Sequence, residues 1–162
     1  MSSPRSSGSG APFKVVLLDM DGTMLNNDHQ ISSKTKFVLE KLSADGIIIG
    51  IATGRSHISV ISYMGELNLQ QKTVPIVCFN GACALLYDTA TKSTSTIFVN
   101  PVCEASAREI HSLAIQEDCV LQWYNPHTGE VSVKVRSKEH FELIERYAAL
   151  TGKKQTQVED QS

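Results

Sequence analysis

No apolar run in this 162-residue chain approaches the roughly 18 residues that a membrane-spanning helix needs. Excess positive charge is lacking too: 15 Lys and Arg face 17 Asp and Glu for a formal net charge of -2, so no global field draws the chain to nucleic acid or to an anionic membrane. Cysteine is sparse. Cys78, Cys83, Cys103 and Cys119 form no CxxC pair and have no His at finger spacing, which argues against a disulfide scaffold and a structural zinc site. The histidines (His29, His57, His111, His127, His140) are scattered without ligand spacing. Residues 1–12 are mostly Ser, Gly and Pro with a single Arg5 and no apolar h-region, so export is not expected. Reduced thiols and this start point to a cytoplasmic protein; a Ser-rich organelle transit segment is the minor alternative. What the chain does have is 41% hydrophobic and 20% charged residues, enough for one ordinary domain or one small domain and part of another.

The pattern between the ends alternates strand and helix. Residues 13–20 (FKVVLLDM), 47–52 (IIIGIA) and 75–79 (PIVCF) are short, nearly continuous apolar runs, as expected of strands buried on both faces. A helix capped by Ser32 or Ser33 separates the first two, with Val38 and Leu42 inward and its end at Asp45-Gly46. A helix from about Ser56, carrying Ile58, Ile61 and Met64, separates the next two. Three buried strands joined by helices predict right-handed βαβ units and a parallel sheet. After Gly81 the pattern changes to ββαββα: a hairpin from Ala84 to Val99, a helix capped by Asn100 with Pro101 at its first position, strands over 120–124 and 130–136, and a helix after Ser137. The expected fold class is α/β, a partial Rossmann-like parallel sheet of three strands with an inserted α+β segment. Its divisions are a disordered tail over 1–12, a core over 13–82, the α+β segment over 83–152 and a polar tail over 153–162.

Chemistry gathers where the first strand stops, at Asp19-Met20-Asp21-Gly22-Thr23. Two carboxylates two residues apart at the carboxyl edge of a parallel sheet converge on one crevice. At about 4 Å and an effective dielectric near 20 they repel by about 4 kcal/mol, which a divalent cation with oxygen ligands offsets. Gly22 permits a tight turn that leaves amides free to meet an anion. The bland reading is a surface Asp-Gly turn, but DxDGT at a given position is a chance of order 10⁻⁵. Thr53-Gly54-Arg55 ends the second strand on the same edge, and Asn80-Gly81 ends the third. Each has an ordinary alternative: Thr53 as a helix N-cap, Arg55 as a solvated surface residue, and Asn80-Gly81 as a simple turn. Cys78, inside an apolar run, reads as a buried core thiol rather than a nucleophile.

DMDGT at 19–23, ATGR at 52–55 and FNGA at 79–82, each after a buried strand, give a chain that resembles the haloacid dehalogenase-like hydrolase superfamily. Within it, the likeness is to the Cof-type phosphatases with an α+β cap, over residues 13–152. The resemblance implies a phosphatase of small phosphorylated metabolites, with Asp19 forming an aspartyl-phosphate and Asp21 serving as general acid and base. It implies Mg2+ held by the Asp19 carboxylate and the Asp21 carbonyl, together with an acidic residue further along. It also implies phosphate or substrate contacts from Gly22, Thr53, Gly54, Arg55 and Asn80, and an α+β cap in residues 83–152.

Two features of that family are not found. The sequence contains no GD dipeptide for a distal acidic motif, and neither Lys134 nor Lys153-Lys154 lies where a core strand would deliver a phosphate-binding Lys. The chain therefore reads as the family's first half, truncated and weak or inactive as it stands, since losing one preorganised electrostatic group costs about 10²–10³ in rate. The alternative is a non-catalytic fragment or interaction module. In either case the edge of the first strand, from Val15 to Leu18, is expected to lie open and to invite self-association.

Overall fold

The VVLL run, the IIGIA run and the stretch ending in Cys78 form three neighbouring strands in the computed structural model, which describes residues 13–151 and 156–157. They are β1 (Val15–Leu18), β2 (Ile48–Ala52) and β3 (Thr73–Cys78), linked by helices α1 (Ser33–Ala44) and α2 (His57–Met64). Both pairings are parallel, with Leu18 opposite Ile51 and Ala52 opposite Val77, so the three strands end on one edge. Ser32 starts α1 by accepting the Thr35 N–H at 3.1 Å, as its hydroxyl predicts. The chain leaves α1 through Asp45 and a left-handed Gly46 (φ 82°).

The helix faces differ from the expected ones. In α1 Leu39 and Ser43 are buried while Val38 is exposed, because Ser43 Oγ is drawn inward to accept the Gln70 N–H at 2.9 Å. In α2 His57, Val60 and Met64 point inward and Ile58 outward. With apolar residues on several sides of HISVISYM, periodicity leaves the inner face of α2 open and packing decides it.

The hairpin after Gly81 does not begin a new layer. Strand β4 (Cys83–Asp88) runs antiparallel to β3, with Cys78 opposite Cys83, and β5 (Thr94–Val99) follows it, giving the order β1-β2-β3-β4-β5. Leu85 and Tyr87 are buried there, and the pairing satisfies the otherwise open edge of β3. The mixed sheet is thus an α/β architecture with the three expected parallel strands and two more. The chain divides into compact units at Phe98 and Val99, which places the hairpin with the first unit and not with the 83–152 segment of the sequence reading. The core of the first unit is Met20, Met24, Ile49, Ile51, Val60, Val74 and Ile76, all 0–1% exposed.

The second unit holds α3 (Glu104–Gln116), β6 (Gln122–Tyr124), β7 (Val131–Val133), α4 (Lys138–Thr151) and β8 (Thr156–Gln157), with sheet order β6-β7-β8. Helix α3 starts at Cys103 rather than at Asn100. Glu104 sits in its first turn, where the helix dipole favours an acid, and pairs with Arg108 one turn on. Arg136 donates to the Ala114 and Cys119 carbonyls at the end of α3, at 2.8 and 2.9 Å. In α4 the buried residues His140 and Ile144 lie inward and Phe141 is 43% exposed. Thr156–Gln157 pair in parallel with β7, inside the stretch read as a polar tail. The expected disordered tail over 1–12 lies outside the described residues.

Among the three parallel strands, β1 departs furthest from the expected double-sided burial: none of its residues is buried. Val15 and Leu17 are 48% and 57% exposed, because β1 lies at the end of the sheet order. No described helix is long and apolar enough to cross a membrane.

Gly50 in β2 is a packing requirement: a Cβ there would lie 2.5 Å from Leu17 Cδ2 and 3.1 Å from the Pro75 carbonyl oxygen. Gly50→Ala is therefore expected to destabilise the fold by about 1–3 kcal/mol through overpacking. Urea unfolding checks this, as a lower midpoint at unchanged m-value.

Candidate active site

The chain leaves β1 at Asp19 and folds back at once. The Leu25 N–H donates to the Met20 carbonyl at 2.8 Å and the Met24 N–H to the Asp19 carbonyl at 3.2 Å, with Gly22 left-handed at φ 74°. Met20, Met24 and Leu25 are buried at 0, 1 and 2% exposure, anchoring the turn, while Asp19 and Asp21 on either side of Met20 face solvent. The alternation of a strand thus continues one step past its end and puts both carboxylates outside the core. Asp19 makes no side-chain hydrogen bond or ion pair among the described residues.

Thr53, Gly54 and Arg55 leave β2 on the same edge. Thr53 is 7% exposed; its N–H donates to the Val77 carbonyl at 2.9 Å and its Oγ1 accepts the Arg55 N–H at 3.2 Å. The N-cap position of α2 is Ser56, so Thr53 is not the cap.

Arg55 is not a solvated surface residue. Its Nε donates to Asp21 Oδ2 at 2.8 Å and its Nη2 to Asp21 Oδ1 at 2.5 Å, a two-pronged pair that holds the carboxylate plane fixed. The Arg55 hydrogen bonds hold the Asp21 carboxyl below its usual 3.8, against a smaller opposing effect of burial. Asp21 in turn raises the guanidinium's own pKa. The Tyr63 ring lies 5.9 Å from the Arg55 guanidinium carbon, and the Tyr63 hydroxyl donates to the His29 carbonyl at 3.1 Å. His29 Nδ1 sits 3.3 Å from Arg55 Nη2 and 3.5 Å from Asp21 Oδ1. His29 and Tyr63 escaped the sequence reading, since nothing local marks them: Tyr63 reads as one residue of an apolar helix and His29 as one of several scattered histidines.

Asn80 lies on the turn after β3. Phe79, Asn80 and Gly81 are left-handed in succession, at φ 52°, 53° and 95°. The Phe79 N–H donates to the Arg55 carbonyl at 3.0 Å and the Asn80 N–H to the Thr53 carbonyl at 3.3 Å. The Asn80 amide covers Gly54, where a Cβ would come within 2.8 Å of Asn80 Oδ1. Cys78 is fully buried, and burial pushes its thiol up to about 12, so it is an inert core residue.

The donors at the edge are carboxylate oxygens, which suit a hard cation such as magnesium better than zinc. Among the described residues no group of three or more His, Cys, Asp or Glu side chains converges to hold a metal.

A model of the haloacid dehalogenase-like hydrolase family matches residues 16–161. The chain belongs to this family. The chain is 41% identical over 68 residues to the 5-amino-6-(5-phospho-D-ribitylamino)uracil phosphatase YitU of Bacillus subtilis, covering 42% of this chain and 24% of that protein. It is 35% identical over 70 residues to the phosphatase YwpJ of the same organism, covering 43% and 24%. Among solved structures, a Bacteroides thetaiotaomicron protein described among the phosphatases of the haloalkanoate superfamily superposes with a TM-score of 0.69 at 26% identity, over 98% of this chain and 53% of that one. A Thermotoga maritima protein does so at 0.66 and 24% identity, over 91% and 49%. The matched stretch is about a quarter of each curated relative's length, and the chain spans about half of each solved one.

Arg55→Ala should return the Asp21 pKa upward toward 3.8, read from the carboxyl carbon shift in an NMR titration. Because the folded pKa is the lower one, the pair's stabilisation is present above the unfolded value and lost as pH falls through the folded one. Asp21 is half exposed, so that contribution is small, of the order of a surface ion pair at about 0–1 kcal/mol. The wild-type minus Arg55→Ala stability difference should accordingly shrink on acidification.

Proposed function

We propose that this chain carries the catalytic carboxylates of a magnesium-dependent phosphatase acting on small phosphorylated metabolites. The observation that carries the reading is the edge itself: Asp19 stands free, and Asp21 beside it is fixed by Arg55 from the neighbouring strand's end. An Asp19 oxygen attacks phosphorus as the ester P–O bond breaks, leaving an aspartyl-phosphate. Asp21, ionised in its pair with Arg55, is the base that takes a proton from the water attacking the aspartyl-phosphate; to protonate the departing oxygen in the first step it would have to take up a proton and release Arg55. Thr53, Gly54 and the Gly22 turn line the same edge and would receive the phosphoryl oxygens. Asp19 and the Asp21 carbonyl would hold the magnesium, whose role is to offset the charge of the ester and the two carboxylates. The α+β unit after Val99 would choose the substrate, and the setting would be cytoplasmic.

A second reading, a non-catalytic interaction module, is favoured by one observation: no third acidic ligand converges on Asp19 and Asp21 among the described residues. The open β1 edge, with Phe13, Val15 and Leu17 at 69, 48 and 57% exposure, is the surface through which copies would associate.

One set of assays separates the two. The purified 162-residue chain, given magnesium and aryl or sugar phosphates, is expected to turn over weakly, because about two negative charges arrive where no third acidic ligand joins Asp19 and Asp21 among the described residues. Asp19→Asn should abolish that turnover, while Asp21→Asn should still phosphorylate Asp19, slowly. Residual wild-type activity in the Asp19→Asn protein would place the chemistry elsewhere. Complete inactivity of the wild type, with no phosphorylated Asp19, would favour the module. A light-scattering monomer turning over at ordinary rates, about 1–10³ s⁻¹, would overturn both the weakness and the self-association.

A further inference from the structure

Asn80 occupies a backbone state that almost no residue type tolerates, and so does the residue before it. Phe79 at φ 52° and Asn80 at φ 53° are both left-handed without being glycine. Asn is among the few side chains that accept this region, whereas for a bulky residue such as Phe it is strained. Such strain persists only where the surroundings over-determine it. Here they do so through two backbone bonds aimed at one target: Phe79 N–H to the Arg55 carbonyl, and Asn80 N–H to the Thr53 carbonyl. Thr53 Oγ1 also holds the Arg55 N–H, so the 53–55 loop is pinned within itself and from β3. Arg55 is the residue whose guanidinium fixes Asp21.

We infer that the left-handed Phe79-Asn80-Gly81 turn is a brace that sets the 53–55 loop, and that Asn80 is a positioning residue acting through its backbone conformation on the Arg55–Asp21 pair. Its consequence for catalysis rests on the phosphatase reading; the brace itself does not. This assigns Asn80 a role different from the direct substrate contact that the family resemblance implied. The amide over Gly54 fits beside this role, since the turn can approach so closely only because residue 54 has no Cβ.

The test separates backbone from side chain. Asn80→Gly keeps positive φ and removes the amide; Asn80→Val keeps a side chain but opposes positive φ. The readout is the Arg55 Nε–H resonance and its exchange protection by NMR, recorded without substrate or metal, with Asp21→Ala as the control that removes the acceptor. Asn80→Gly is expected to keep protection within about threefold of wild type, and Asn80→Val to lose about tenfold or more. If Asn80→Val does not fold, Asn80→Ala, which opposes positive φ more mildly, is read in the same way. Loss in Asn80→Gly equal to that in Asn80→Val or Asn80→Ala would put the role in the amide and overturn the inference. Full protection in Asn80→Val or, where that variant does not fold, in Asn80→Ala would show that the turn braces nothing. Absence of turnover or of phosphorylated Asp19 would count against the phosphatase reading alone and leave this result standing.

Discussion

Parallel pairing makes β1, β2 and β3 end on one side, and the polar groups of the candidate site stand at those ends. Asp19 and Asp21 leave β1, Thr53 and Arg55 leave β2, and the Phe79-Asn80-Gly81 turn leaves β3. Strand interiors of Val, Ile and Leu cannot host charges, so the chain releases its carboxylates only where the buried run stops. The fold sets a cation against one of the two carboxylates: Arg55 takes both oxygens of Asp21. Asp19 has no side-chain partner among the described residues.

The Arg55–Asp21 pair sits within a wider set of restraints. Tyr63 on α2 flanks the guanidinium and also holds the His29 carbonyl, so the loop carrying His29 is tied to the helix that follows Arg55. On the other side the left-handed turn after β3 takes the Thr53 and Arg55 carbonyls. Three separate segments thus converge on Arg55, two at its side chain and one at its backbone, the physical basis for treating that edge as preorganised rather than merely acidic. A half-exposed ion pair alone contributes little to stability; fixed by neighbours in this way its value is directional.

Elsewhere the chain is less closed. The outer face of β1, much of β5 and parts of α3 and α4 leave large apolar side chains exposed, including Ile97, Leu113 and Leu143 at 59, 56 and 53%. The two solved structures described above that superpose on this chain are about twice its length.

The sequence by itself determined the three parallel strands, their connecting helices and the place of the carboxylates, because these follow from local rules: short unbroken apolar runs, a Ser cap, and Asp-Gly where a strand ends. Its family likeness was legible for the same reason, since the DMDGT, ATGR and FNGA segments are contiguous. Only the tertiary structure decided which face of α1 and α2 turns inward, that the hairpin after Gly81 continues the first sheet, and that Thr156–Gln157 pair with β7. It alone decided that Arg55 serves Asp21, 34 positions away, and that His29 and Tyr63 stand beside them. Those outcomes depend on pairings between distant segments, whose energies come from burial and hydrogen bonds that no local pattern encodes.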